Sequence, residues 1–403
     1  MLLSLTDRYQ KTTMKPIEGQ ISIDIYPYQL RSGDVEISSS RPLQATKILI
    51  GKTPAQALSI IPLMYNVCGV AQSRAALSAM QQCLGCDYDP KTEIARDMLL
   101  LVEIAKEHLL RIFLDWPKLF DIDPGNHRLP YVNQLTTEFE SALFMDKQAF
   151  MLDSRLEIQI SQLPKLIENL QQYLEQHVFT IAPEEWLTAR HYEPILFWSE
   201  QTISIAALAV NHIVNNGWAV EGITNSEHLP VLDNGQLLAE FNSIDAEKFI
   251  AQPKWQGHCC ETTALSRQSE HPLLQSFYQH YQNSLLTRWL ARLVELARIP
   301  EQLTAMLNHI NDDTSQYIHR ADNLGLAQVE TARGRLIHRA ELSEGLIRHY
   351  QILAPTEWNF HPKGLISQSL AHINHDDKTE LQQIAQLMIN AIDPCVGYKL
   401  RIH

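Results

Sequence analysis

The side chains best suited to chemistry in this sequence are its six cysteines, Cys68, Cys83, Cys86, Cys259, Cys260 and Cys395. Thiolates are soft metal ligands and strong nucleophiles. The first residues, MLLSLTDRYQKTTMK, lack the charged start, apolar core and cleavage pattern of a secretory signal, so a disulfide framework is not expected. Metal ligation, reactivity or plain burial stay open. Cys68 stands in Tyr65-Asn66-Val67-Cys68-Gly69-Val70-Ala71, near the start of a helical stretch, and Cys395 in Asp393-Pro394-Cys395-Val396-Gly397, close to the C-terminus. Alone, the first reads as a small buried hydrophobe and the second as the seat of a terminal peptide. Cys83-Leu84-Gly85-Cys86 has no second pair at zinc spacing and no βαβ pattern around it, so a structural role at a helix end is expected. Cys259-Cys260, between His258 and Glu261, has a ligand-like composition. Adjacent residues rarely face one metal, so burial is the plainer expectation there. His372 and His375 lie on a polar stretch and read as solvated.

Four separated segments, taken in order, resemble the NiFe-hydrogenase large subunits. Asn66-Val67-Cys68-Gly69-Val70-Ala71 is similar to that family's R-x-C-G-x-C-x-x-x-H motif. Asp393-Pro394-Cys395-Val396-Gly397-Tyr398 is similar to its C-terminal D-P-C-x-x-C-x-x-H. Between them, Glu330-Thr331-Ala332-Arg333-Gly334-Arg335-Leu336-Ile337-His338 resembles E-A-P-R-G-x-L-x-H, and Pro355-Thr356-Glu357-Trp358-Asn359 resembles P-T-x-W-N. Weaker echoes are Glu261 to Arg267, against E-x-G-P-L-A-R, and Lys106-Glu107-His108. The likeness runs from about residue 17 to the C-terminus.

The departures say more. The resemblance implies terminal metal thiolates at Cys68 and Cys395, but the two bridging positions are Ala71 and Tyr398. Neither can replace a soft bridging thiolate, so the family's two-metal centre, nickel included, is not expected. The family's proton-relaying R-G-x-E reads Arg41-Pro42-Leu43-Gln44, and an amide cannot exchange protons as a carboxyl does. The first motif's histidine is Ala75; the last motif's is Arg401, unless a two-residue shift lets His403 serve.

The iron half of the pocket is retained. In the family, the iron's cyanides bond the arginine and the hydroxyl residue that match Arg333 and Thr356, which makes Arg333, Pro355 and Thr356 the cofactor-binding candidates beside the metal ligands Cys68 and Cys395. Ferrous iron with two cyanides and two thiolates carries a double net negative charge, costly to bury without donors and a counter-charge. A guanidinium and a hydroxyl supply both. This pattern is nearest to the hydrogenase expression/formation proteins of the HupK and HoxV type. It implies a non-catalytic scaffold that transiently carries an iron dicyano-carbonyl unit, with partners among hydrogenase accessory proteins: the small chaperone that carries the unit, the assembly machinery and the large subunit itself. The alternative is a metal-free large-subunit mimic that docks the same proteins. Arg333 in an ordinary buried ion pair, Thr356-Glu357 starting a turn and Trp358 in the core would suit the mimic.

The elements that must position these residues are mainly helical. The 403 residues, 45% apolar, suffice for a large core, and a net charge of −13 speaks against nucleic acid or an anionic membrane as partner. No apolar run is long enough to cross a bilayer, so a cytoplasmic protein is expected. Gln20 to Tyr26 alternates as a strand, and Val35 to Ile37 follows a turn at Arg31-Ser32-Gly33-Asp34. A helix should start at Thr53-Pro54 and bend or break at Pro62, with helical pattern resuming over Asn66 to Leu84. Thr92 to Phe113, Leu156 to His177, Leu273 to Ala297 and Glu380 to Ala391 read as further helices. Asn215 to Gly257 is rich in turns, and Arg335 to Leu353 reads as a hairpin turning at Ser343-Glu344-Gly345. The expectation is one mainly α domain over residues 1–403, with a tail at 1–14: a hydrogenase large-subunit-like helical bundle with small β appendages.

Overall fold

The computed structural model describes residues 19–27, 34–86, 89–123, 125–145, 148–159, 161–310, 323–373 and 375–403. Strand β1 (Ile21–Tyr26) buries Ile21, Ile23 and Ile25 on one face, as its period of two requires. It pairs antiparallel with β2 (Asp34–Ser39); the turn at Arg31-Ser32-Gly33 lies outside the described residues. Helix α1 (Pro54–Met64) starts as expected, with Thr53 and Gln56 in a reciprocal capping box and Pro54 in the first turn. Pro62 does not break it but sits inside its last turn, at the cost of the N–H that would bond the Leu58 carbonyl. A 3-10 turn at Asn66–Cys68 leads into α2 (Gly69–Leu84), and α3 (Pro90–Leu110) runs on into a π turn at Arg111–Asp115.

Two helices differ from their sequence reading. The stretch Leu156–His177 is helical only from Leu163: α4 spans Leu163–Leu174 and ends in a π turn, while Leu156 forms a bridge with Phe144. Pro164 marks the true start, since a proline in the first turn gives up an N–H that has no partner there. Leu273–Ala297 is two helices, α5 (Pro272–Tyr281) and α6 (Leu285–Ile310), parted at Gln282, whose φ of +54° no right-handed helix accommodates. The turn-rich middle also contains short helices at Asn234–Asn242 and Ala246–Ala251.

A three-stranded antiparallel sheet follows, β3 (Leu324–Thr331), β4 (Gly334–Ser343) and β5 (Leu346–Leu353). The β4–β5 turn is the one read from sequence, with Glu344 and Gly345 both at positive φ; β3 had no sequence signal. A short helix, α7 (Pro355–Asn359), and a long one, α8 (Lys378–Ile392), precede β6 (Tyr398–Ile402), which returns to pair parallel with β1. The core centres on α6, which is buried all round from Leu285 to Ala297. No helix among the described residues is long and apolar enough to cross a membrane.

Helix α2 is held against the sheet at two points. A Cβ on Gly325 in β3 would lie 1.9 Å from the Ala79 carbonyl oxygen of α2, so the two backbones touch. Fully buried His338 in β4 ties the layers together, its Nε2 2.9 Å from Gln72 Oε1 of α2 and its Nδ1 2.8 Å from the Tyr350 hydroxyl of β5. An amide oxygen only accepts, so Nε2 carries the proton and Nδ1 accepts from the phenol.

Gly325→Ala is therefore expected to cost about 2 kcal/mol, because two packed backbones must separate; a lowered denaturant midpoint is the readout. Burial depresses the His338 pKa to about 3 from an ordinary 6.5. Below pH 6.5 the unfolded chain binds a proton that the folded one refuses, so this group removes stability as pH falls from 6.5 toward 3. Between pH 6.5 and 5 the loss is about 2 kcal/mol. His338→Gln, which keeps a neutral donor and acceptor, should flatten that part of the stability profile.

Candidate metal centre

Cys68 ends the 3-10 turn from which α2 departs. Cys68, the residue before α2, does not cap it by its side chain. Glu103 of α3 does so from across the helix pair, accepting from the Val70 and Ala71 N–H groups at 2.8 and 2.9 Å. First-turn N–H groups need such partners, and a carboxylate suits the positive helix end. Burial still lifts the Glu103 carboxyl to about 7 against those bonds. Cys68 and Cys395 both line one cavity of about 570 Å³. Burial raises the Cys68 thiol to about 12, the Cys395 sulfur and Glu103 adding to it while Arg333 and Gln72 oppose. Cys68 is thus a neutral thiol until a metal displaces its proton.

Cys395 is delivered by the end of α8. The helix stops at Asp393, whose φ of +62° turns the chain into Pro394. The Cys395 N–H donates to Thr356 Oγ1 at 3.2 Å, and the same hydroxyl lies 2.9 Å from the Cys395 sulfur. Pro355 opens α7 and Thr356 follows it, both buried. The P-T-x-W-N segment therefore holds the second sulfur directly.

Arg333 sits in the tight turn between β3 and β4. Its N–H donates to Thr331 Oγ1 at 3.1 Å, and that hydroxyl donates to the Gly334 carbonyl at 2.9 Å. Gly334 has φ +124°, and a Cβ there would meet the Thr262 carbonyl oxygen at 1.9 Å; glycine alone fits. Asn359 laces the motifs together, its amide donating to the Arg333 and Thr262 carbonyls at 3.1 and 2.8 Å. The Arg333 guanidinium, 3% exposed, donates from Nη2 to Glu107 at 2.8 Å, and its Nε lies 3.3 Å from the Asp393 carboxylate. Burial works against its charge, but Asp393, Glu107 and the two cysteine sulfurs outweigh that and hold its pKa up. Nη1 is buried with no hydrogen-bond partner among the described residues. Arg333 is not itself one of the residues lining the cavity.

Reasoning from sequence missed a second guanidinium. Arg41 lines the cavity and pairs with Glu357 at 2.6 Å, its charge favoured by Cys395, Glu357 and Cys68 against the penalty of burial. Burial also raises the Glu357 carboxyl, with Arg41 opposing, and leaves its Oε2 unpartnered. The signal was in the Arg41-Pro42-Leu43-Gln44 segment, but in Arg41 rather than Gln44, whose amide bonds Glu247 and Lys47 on the surface. Gln72, Glu103 and Asp393 were likewise not singled out.

The remaining candidates lie elsewhere. Ala71 and Ala75 are buried in α2, and Tyr398 is in β6. Arg401 and His403 both bond Asp24 of β1 at 2.8 Å, so neither stands in for the missing motif histidine. Cys83 is buried with its thiol 3.4 Å from the Ala340 carbonyl, consistent with a structural role. Cys260 is buried, while the Cys259 sulfur is 3.4 Å from His361 Nδ1. His375, read as solvated, instead bridges Glu221 and Glu380 at 3.2 and 3.3 Å. Among the described residues no group of three or more His, Cys, Asp or Glu converges as a metal cage.

Known proteins share this fold. Residues 248–398 match the nickel-dependent hydrogenase family. The chain is 26% identical to the hydrogenase expression/formation protein HoxV of Cupriavidus necator, over 91% of this chain and 93% of the relative. It is 26% identical to the expression/formation protein HupK of Azotobacter vinelandii, over 91% and 94%. The Ni-Fe-Se hydrogenase of D. vulgaris Hildenborough superposes with a TM-score of 0.63 at 15% identity, covering 90% of this chain and 93% of that one. Two cysteines thus line one cavity on a hydrogenase large-subunit fold, in a chain whose residues 248–398 match the nickel-dependent hydrogenase family and which is similar over 91% of its length to hydrogenase expression/formation proteins.

Proposed function

We propose that this protein is a non-catalytic hydrogenase maturation factor that holds an iron dicyano-carbonyl unit between Cys68 and Cys395 before its transfer to a large subunit. The observation that carries the reading is the shared cavity: two sulfurs from opposite ends of the chain line it, and the Thr356 hydroxyl sits 2.9 Å from one of them. A cargo that brings its own diatomic ligands needs only a partial set from the protein. Each cysteine would exchange its S–H bond for an S–Fe bond and release the proton to solvent. Arg333 supports the reading through its buried, uncommitted Nη1, a donor suited to a cyanide nitrogen. Arg41, paired with Glu357, adds a second guanidinium to the cavity wall. Partners on this reading are the small chaperone that delivers the unit, the assembly machinery and the receiving large subunit. The bridging positions Ala71 and Tyr398 offer no further sulfur, so nickel is no part of the proposal.

A second reading, the metal-free mimic that docks accessory proteins, draws on one observation: Arg333 is already paired with Glu107 and Asp393. Protein purified anaerobically from cells making the assembly machinery should show cyanide and carbon monoxide stretching bands in the infrared. Cys68→Ser and Cys395→Ser should each abolish them and cut the yield of matured hydrogenase. Full maturation with both serines in place would hand the case to the mimic. Thr356→Val, which removes the hydroxyl beside Cys395, is expected to shift the cyanide bands of any unit retained, while Thr356→Ser leaves them near their original positions. Bands that ignore Thr356→Val would rule out its hydroxyl as a cyanide partner.

A further inference from the structure

A line of hydrogen bonds runs through the protein interior and ends on a ligand sulfur. It starts at the Tyr350 hydroxyl, which is 2.8 Å from His338 Nδ1. It passes from His338 Nε2 to Gln72 Oε1 at 2.9 Å. It finishes from Gln72 Nε2 to Cys68 Sγ at 3.8 Å. Three elements contribute to it, β5, β4 and α2. His338 is fully buried, Gln72 is 2% exposed and Tyr350 is 4% exposed.

The polarity of this line is fixed by what each group can do. Burial keeps the imidazole neutral, with its pKa near 3, so it has one N–H to give. The Tyr350 phenol, whose pKa burial drives well upward, stays protonated and donates to Nδ1. The imidazole proton then lies on Nε2, and Gln72 must turn its oxygen to it. That leaves the Gln72 amide nitrogen, with its N–H groups, facing Cys68. A glutamine free to flip would present a donor or an acceptor equally; this one is set to present the donor.

We infer that Gln72 is a positioning residue for Cys68, its amide N–H locked by His338 and Tyr350 so as to hold the sulfur toward the cavity as a metal ligand. The inference deepens the carrier reading and rests on it only for the identity of the metal. An N–H aimed at sulfur favours the negatively charged, ligated form over the free thiol. It thus works in the direction of capture, against the burial that keeps Cys68 protonated. A merely structural role would require that Gln72 be satisfied, but not which of its two ends meets the sulfur.

Gln72→Glu separates these roles. Glutamate is close to isosteric and keeps an oxygen for His338 Nε2, while replacing the donor at Cys68 with a second oxygen. The experiment uses the full-length, metal-free protein and labels it with N-ethylmaleimide at pH 8, reading the rate at Cys68 by peptide mass spectrometry with Cys259 as internal reference. Gln72→Glu should slow Cys68 labelling about tenfold, the size of a one-unit shift in thiol acidity, and Gln72→Met, which removes the donor without adding a carboxylate charge, should slow it too, with Cys259 unchanged in both. Cys68 labelled at the native rate in a variant that melts like the native protein overturns the inference. If Gln72→Glu does not fold, Gln72→Met, of equal length and without a donor, decides alone: slower Cys68 labelling supports the inference and an unchanged rate refutes it. Because labelling is read without iron, slow labelling together with absent infrared bands would sink the carrier reading and leave the positioning role intact.

Discussion

A buried guanidinium cannot stay charged unless the fold brings it partners, and Arg333 is that constraint here. Its two carboxylate partners come from distant parts of the chain, Glu107 from α3 and Asp393 from the end of α8. Removing either would leave charge uncompensated in the interior, a loss of several kcal/mol. The pairing therefore fixes three segments relative to one another, and each carries part of the site. Asp393 lies two residues before Cys395. Glu107 is one helical turn from Glu103, which caps the helix beginning just after Cys68. Arg333 itself is anchored by the turn at Thr331 and by Asn359 of the segment that contains Thr356. The two sulfurs face one cavity because one arginine must be neutralised.

The same charge logic extends outward in layers. Asp393 is kept ionised, its carboxyl held below the usual range despite burial by Arg333, Arg111 and Arg292. Behind it, Glu295 of α6 takes two bonds from Arg267 and one contact from His108, and Arg267 also donates to the Ala332 carbonyl beside Arg333. Burial and the Glu295 contact pull His108 in opposite directions, and burial wins. A network this extensive rarely raises net stability over an apolar core. Its effect is to specify geometry: alternative packings would strand a charge.

What could be read from the sequence follows from this. Cys68, Cys395, Arg333 and Thr356 stood out only through the motifs they share with a known family; alone, Cys68 reads as a small buried hydrophobe and Cys395 as the seat of a terminal peptide. The helix start at Thr53 and the hairpin at Glu344-Gly345 were legible because their signals are local. Arg41, Gln72 and Glu103 were not. Each acts on a partner far along the chain, Glu357, His338 and the Val70–Ala71 backbone respectively, and one sequence carries no mark of such pairings. The break at Gln282 was invisible because glutamine gives no hint of positive φ, whereas the true start of α4 was marked by Pro164. Gln44 misled, since a family position drew the eye to a residue that faces Glu247.

The contrast between the two sulfurs bears on how a cargo would be gripped and let go. Cys395 is held through its own N–H and the Thr356 hydroxyl, on a turn fixed by Asp393, so its position is set by backbone geometry. Cys68 is held through a side-chain amide at the end of a hydrogen-bond line and is shifted strongly toward the thiol. A ligand that regains its proton readily leaves a metal readily. On the carrier reading the two cysteines would divide the work, Cys395 holding the cargo in place and Cys68 supplying the more readily reprotonated bond. A closed cage of four protein ligands would bind more tightly and could not hand on what it holds.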